Sequence, residues 1–220
     1  MMMKEKVGEV FSIAMDNPAI PGCTISKAVH DGANDIICFS LARNTDISAE
    51  IYPYHKLIIM AEGVIEIYGA DGFRRNLHTS DSIITLTDTP MGIRTAEGAV
   101  YTEISIRRSD IMNEAIKAGE VFRLAELVPY QDGKIVNMDV VHNDQMKFVV
   151  MAFDEGTGLS EHAAPGEVLF FALDGEGVIG YEGKDHPIKD GENFHFAKAG
   201  IHSVQAVKRF KMALLLTLES

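Results

Sequence analysis

The feature that most constrains this chain is that it is written twice. Leu159 to Gly175, LSEHAAPGEVLFFALDG, overlays Ile47 to Gly63, ISAEIYPYHKLIIMAEG, without a gap at a spacing of 112 residues, and Ser, Pro, Leu and Gly coincide. The likeness extends outward at a spacing of 111: Gly8-Glu9-Val10-Phe11 recurs as Gly119-Glu120-Val121-Phe122, Gly22 as Gly133, and Thr79-Ser80-Asp81-Ser82 as Asp190-Gly191-Glu192-Asn193. Similarity at a fixed period decides architecture before any local signal does. It reads here as a tandem duplication of a module of roughly 100 residues, large enough for its own core.

Composition then narrows the function classes. Hydrophobic residues make up 46% of the 220, enough for two modest cores. A net charge of −12 opposes nucleic acid or an anionic membrane as partner, because phosphate recognition needs clustered Lys and Arg. The apolar runs, Met212 to Leu216 among them, are strand-sized, and the opening MMMKEKVGEV lacks the pattern of a signal peptide. Cys23 and Cys38 lack metal-type spacing, which points to packed free thiols in a reduced, cytoplasmic protein. Phosphate loops, dinucleotide fingerprints, nucleophile elbows and C-x-x-C pairs are absent from the sequence.

Most of the chain reads as short strands rich in β-branched and aromatic residues, bounded by Gly, Asn, Asp or Pro. In the first copy these are Ile36–Phe39, Leu57–Met60, Val64–Tyr68, Ser82–Leu86 and Ala99–Ile106; in the second, Lys147–Phe153, Val168–Leu173, Gly177–Tyr181, Phe194–Ala197 and Phe210–Leu218. Gly8 to Pro21 is ambiguous between a short helix and an edge strand. Ser109 to Ala118 reads as a linker helix, with Ser109 as cap, Ile111, Met112, Ala115 and Ile116 as its apolar stripe, and Gly119 as its stop. The expected organisation is an all-β chain: a first barrel over 1–108, a linker helix over 109–118 and a second barrel over 119–220.

The second copy resembles the cupins, whose pattern is G(x)5HxH(x)3–4E(x)6G followed by G(x)5PxG(x)2H. Gly156 and His162 fit the opening, Gly175 the closing glycine, and Gly191 with His202 the second motif; the stretch around LSEHAAPGE also resembles small bacterial cupins with an S-E-H-x-A-P motif. Counting both copies, the resemblance implies two tandem double-stranded β-helix (jelly-roll) barrels, a bicupin. It also implies a metal held by up to four ligands, of which the second copy keeps His162 and His202. Ala164 replaces the second His, Val168 the Glu and Ala197 the Pro; the first copy has Glu50, Tyr52, Lys56 and Met91 at the corresponding ligand positions.

Three functional readings follow. In the leading one the second barrel binds a small molecule in a pocket formed by His162, Ala164, Val168, His202 and, depending on register, Phe170 or Phe171, with Phe171 preferred and the imidazoles as polar anchors. In the second, the barrel holds one divalent transition metal, Zn, Fe, Mn or Ni, on His162 and His202 with His195 as a possible third donor, and acts as an isomerase or dioxygenase. In the third the protein is structural and has no active site. Strand alternation places 162, 164, 166 and 168 on one face and leaves Glu161 and Glu167 on the other. In the first barrel Glu50, Tyr52 and Lys56 share a face, so Lys56 is expected to pair with Glu50 near Met91 and close a structural lobe, a catalytic Glu-Lys-Tyr group being the alternative. His30, His55, His78, His142 and His186 are expected at the surface or in turns. Both a monomer and a homodimer are compatible with the repeat.

Overall fold

The computed structural model describes residues 3–218. It contains two nine-stranded antiparallel sheets, and the chain divides into two compact units. One unit comprises Ile13–Asp110 with Glu114–Arg123. The other comprises residues 3–12, Ile111–Asn113 and residues 124–218.

Each unit is built on a strand of 15 residues, His55–Gly69 in the first and Glu167–Tyr181 in the second. In the first unit the leading half pairs with Asp81–Ile84 and Ala99–Ile106, and the trailing half with Arg74–His78 and Met91–Thr95. In the second, Asn193–Phe196 pairs with the leading half, Lys184–Lys189 with the trailing half, and Ile201–Thr217 with both. Between the halves the register shifts, after Met60 in one copy and after Ala172 and Gly175 in the other. A one-residue shift exchanges the faces of everything beyond it. Ile58 and Met60 therefore point into the core before the bend, and Ile65 and Ile67 after it; Val168, Phe170 and Ala172 hand over in the same way to Ile179 and Tyr181.

The bends fall at the glycines that close the repeated motif. Gly63 and Gly175 have φ of +82° and +76°, and a Cβ on either would lie 2.1 Å from a backbone oxygen, that of Gly98 or Arg209. Only a residue without a side chain fits there.

The G-E-V-F repeats serve the opposite unit from the one that chain order suggests. Val10–Phe11 pairs with Phe194 and Asn193, while Val121–Arg123 pairs with Asp81–Ile83. The flanking contacts repeat too: the Gly8 amide donates to the His195 carbonyl at 3.0 Å and the Gly119 amide to that of Ile84 at 2.8 Å. Each opening strand thus covers an otherwise unpaired edge, so the division of the chain departs from the 1–108 and 119–220 expected from sequence.

The linker helix expected over 109–118 does not form. Ile111–Met112 pairs as a strand with Val141–His142, the Asn113 amide donates to the Val140 carbonyl, and the Asp110 carboxylate accepts from the Arg107 amide. A ten-residue helix is marginal by itself, and the ladder supplies the same backbone bonds with packing added. Gly8–Pro21 contains both readings, the strand Val10–Phe11 and a one-turn helix Ile13–Asp16. Cys23 and Cys38 are free, but Cys23 is exposed in a turn rather than packed. His30 is buried at 1% exposure, contrary to the expectation for surface histidines. No helix is long and apolar enough to cross a membrane among the described residues.

The close approach at the bend yields a test. Gly156 shares a left-handed φ of +75° with nothing within 4 Å of a built Cβ. Gly156→Ala should therefore cost only the conformational penalty, about 1–2 kcal/mol. Gly175→Ala carries the same penalty plus a backbone collision, and its urea unfolding midpoint should fall well below that of Gly156→Ala.

Candidate functional site

All four first-copy ligand-position residues converge on one cavity. Its volume is about 190 Å³, and Glu50, Tyr52, Lys56 and Met91 line it together with Glu103 and apolar side chains that include Phe39, Ile58, Ile67 and Ile93. Glu50 and Met91 are cross-strand partners on Thr45–Glu50 and Met91–Thr95. Lys56 comes from the leading half of the long strand, and Glu103 from Ala99–Ile106, all eight residues of which are buried.

The pairing differs from the expected one. The Lys56 ammonium lies 3.0 Å from the Glu103 carboxylate, not on Glu50, with the two side chains only 17% and 9% exposed. It also sits 3.6 Å above the centre of the Tyr52 ring, a cation–π contact. The Tyr52 hydroxyl donates to the Glu50 carboxylate, and that hydrogen bond, followed by burial, holds the phenol well above its ordinary range, so Tyr52 stays protonated. Burial pushes the Glu103 carboxyl up, and the neighbouring Lys56 charge opposes this without cancelling it. Far from closing the lobe, the charged group borders an open space.

Glu103 escaped the sequence reading because Ala99–Ile106 reads as a structural strand. The available signal is the comparison between copies: Ile58 faces Glu103 in the ladder where Phe170 faces Leu214. A lone charge where the duplicate has leucine marks the position.

In the second unit Ala164 and Val168 are buried in a core cluster with Phe170, Phe194, Phe196 and Phe210. Phe171, the preferred pocket residue, faces away from Val168 and packs edge-on against Phe148; Phe170 takes the inner place. His162 and His202 do meet, as cross-strand partners with ring centres 4.2 Å apart, and His202 stacks on Phe196 at 4.3 Å. Their Nδ1 atoms lie 2.8 Å from the Ser160 carbonyl and 3.2 Å from the Gly200 carbonyl, so each Nδ1 carries the proton and each Nε2 is left as acceptor. His162 is exposed and His202 buried, and burial, with His162 adding to it, lowers the His202 pKa against the opposing Gly200 carbonyl.

His195 does not join them. It is the ladder partner of Leu169, so it lies on the face opposite Val168 and Phe196. There its Nδ1 donates to the Glu5 carbonyl at 2.8 Å and its Nε2 stands 3.6 Å from the Glu167 carboxylate, which also accepts from the Met3 amide at 2.7 Å. Two imidazoles supply too few donors for a divalent transition ion that takes about four to six. No group of three or more His, Cys, Asp or Glu among the described residues is arranged to hold a metal. The second barrel's residues do not fit the expected metal.

The structural comparison decides the fold. A cupin 2 conserved barrel domain protein from Leptotrichia buccalis superposes with a TM-score of 0.86 at 26% identity, covering 99% of this chain and 100% of that one. This chain has the cupin fold. AerE from Microcystis aeruginosa matches with a TM-score of 0.54 at 16% identity over 88% of this chain and 92% of its own. A mutant salicylate 1,2-dioxygenase from Pseudoaminobacter salicylatoxidans matches with a TM-score of 0.62 at 12% identity over 88% and 75%. No protein-family model and no curated protein sequence matches the chain. His162 and His202 are ladder partners in the second copy, and Glu50 and Met91 are ladder partners at the corresponding positions of the first.

Two measurements test this electrostatic picture. Lys56→Ala leaves Glu103 buried without its partner and should cost about 3–5 kcal/mol, whereas Lys56→Met with Glu103→Gln removes both charges and should unfold near the wild-type urea midpoint. For His202 the folded state favours the neutral ring, so the unfolded chain binds more protons below the ordinary value of about 6.5. Its contribution is complete above that pH and is lost as pH falls. His202→Phe should keep the stack on Phe196 and show a smaller drop in urea midpoint than wild type between about pH 7 and about pH 5.

Proposed function

We propose that the protein is a bicupin whose N-terminal barrel binds a compact small molecule, with the C-terminal barrel as the structural partner. The observation that carries this reading is the cavity of about 190 Å³ beside Lys56, Glu103, Tyr52 and Glu50. Its apolar walls with a few convergent polar groups are the usual makeup of a ligand site. The volume lies below the roughly 300–1,000 Å³ of sites for drug-sized ligands, which favours a ligand of metabolite size. A wholly structural role has less support, because an apolar replacement of a buried ion pair is often neutral or stabilising. Two charges kept beside an empty volume suit recognition better than packing.

The test is ligand screening by methyl NMR, following the isoleucine signals of Ile58 and Ile67 with Ala172 of the second barrel as reference. Binding compounds should shift Ile58 and Ile67 in wild type and lose that effect in Thr89→Phe, which fills the cavity from its lining. Compounds that bind Thr89→Phe equally well, or shift only Ala172, would overturn the assignment to the first barrel.

A further inference from the structure

We propose that the first-barrel cavity is a proton-transfer site for compact neutral carbonyl compounds, in which Glu103 takes a proton from the carbon beside the carbonyl while Lys56 holds the carbonyl oxygen. This rests on the ligand-binding reading above and names its substrate class and reaction.

Charge selects the ligand class. Glu50 and Glu103 both border the cavity, so an anionic ligand meets two carboxylates, and a cationic one meets the Lys56 ammonium. A neutral molecule with a dipolar head avoids both penalties. Hydrogen-bonding capacity selects the head. An ammonium has three donors, and Lys56 directs one at Glu103 and turns another toward the Tyr52 face; among the described residues the ammonium makes no further hydrogen bond or ion pair. The remaining donor suits a carbonyl oxygen. The Glu103 carboxylate lies beside it, 3.0 Å from the same ammonium, so one small ligand can meet both groups. Ile58, Ile67, Ile93 and Phe39 surround them with apolar surface, where a fixed ammonium stabilises developing negative charge far better than it would in water.

The step balances without an added oxidant, reductant or metal. A Glu103 oxygen forms a bond to the proton as the C–H bond breaks. The released electron pair becomes the carbon–carbon double bond of an enolate, and the carbonyl pair moves onto the oxygen that Lys56 hydrogen-bonds. Glu103 then returns the proton, to the same carbon for exchange or inversion, or to a carbon conjugated with it for isomerisation. Tyr52 is a positioning residue: its ring holds the ammonium, and its phenol, tied to Glu50, keeps its own proton. Burial that pushes the Glu103 carboxyl upward brings the base nearer to neutral pH.

The experiment uses cyclohexanone as a neutral, enolisable probe in deuterated water with a chelator present. Exchange of the hydrogens beside the carbonyl is followed by proton NMR, and occupancy by the methyl signals of Ile58 and Ile67. Wild type should accelerate exchange about a hundredfold or more over two controls, Lys56→Met with Glu103→Gln and the cavity-filled Thr89→Phe, which keep the other lysines. Shifted methyls with exchange no faster than in the controls would overturn proton transfer and leave ligand binding intact. If cyclohexanone shifts nothing while other compounds bind the cavity, the carbonyl class is wrong. If nothing binds there, both the inference and the ligand-binding reading fall.

Discussion

Everything in each unit depends on one strand being able to change faces in mid-course. His55–Gly69 and Glu167–Tyr181 are each too long to lie in one flat sheet of a small barrel, and each is bent where a backbone oxygen, of Gly98 or Arg209, lies 2.1 Å from the Cβ that glycine lacks. The bend carries both halves of the strand around the same interior. That is why Ile58, before it, and Ile67, after it, border a single cavity. Without the register shift one half would turn its apolar side chains outward and the barrel would have no closed core.

On this shared frame the two copies have diverged by what fills the corner where strands meet. In the second copy, His162 and His202 face each other over a core crowded by Phe170, Phe194 and Phe196. In the first, Glu50 and Met91 hold the corresponding places, Lys56 stands where the other copy has Val168, and Glu103 where it has Leu214. Desolvating an ammonium and a carboxylate costs several kcal/mol each, which mutual attraction repays only with good geometry. The 3.0 Å contact and the Tyr52 face supply that geometry. The buried charges thus lie in the copy that lacks the paired histidines.

The exchange of opening strands follows from the same duplication. Each sheet ends on an edge, Asp81–Ile84 or Asn193–Phe196, with unpaired backbone groups, and each G-E-V-F segment is a short strand with no partner in its own copy. Pairing across copies satisfies both. It also covers His195, whose ladder position already turns it away from His162 and whose Nδ1 donates to the Glu5 carbonyl.

The sequence by itself determined the duplication, the all-β class, the cupin fold and the first copy's corner residues, because these rest on period, strand composition and glycine placement, which are local and repeat. Residues 109–118 carried helical signals that a two-residue ladder with Val141–His142 overrode. Tertiary structure alone decided that the first copy's corner residues border a cavity, that Lys56 meets Glu103 rather than Glu50, and that Phe170 rather than Phe171 points inward. Parity counted along the chain fails wherever a bulge or a turn intervenes, as between Ala163 and Glu167, and a contact between residues 47 positions apart depends on how two strands align in a ladder. Such alignment is set by the packing of the whole unit, and no stretch of sequence contains it.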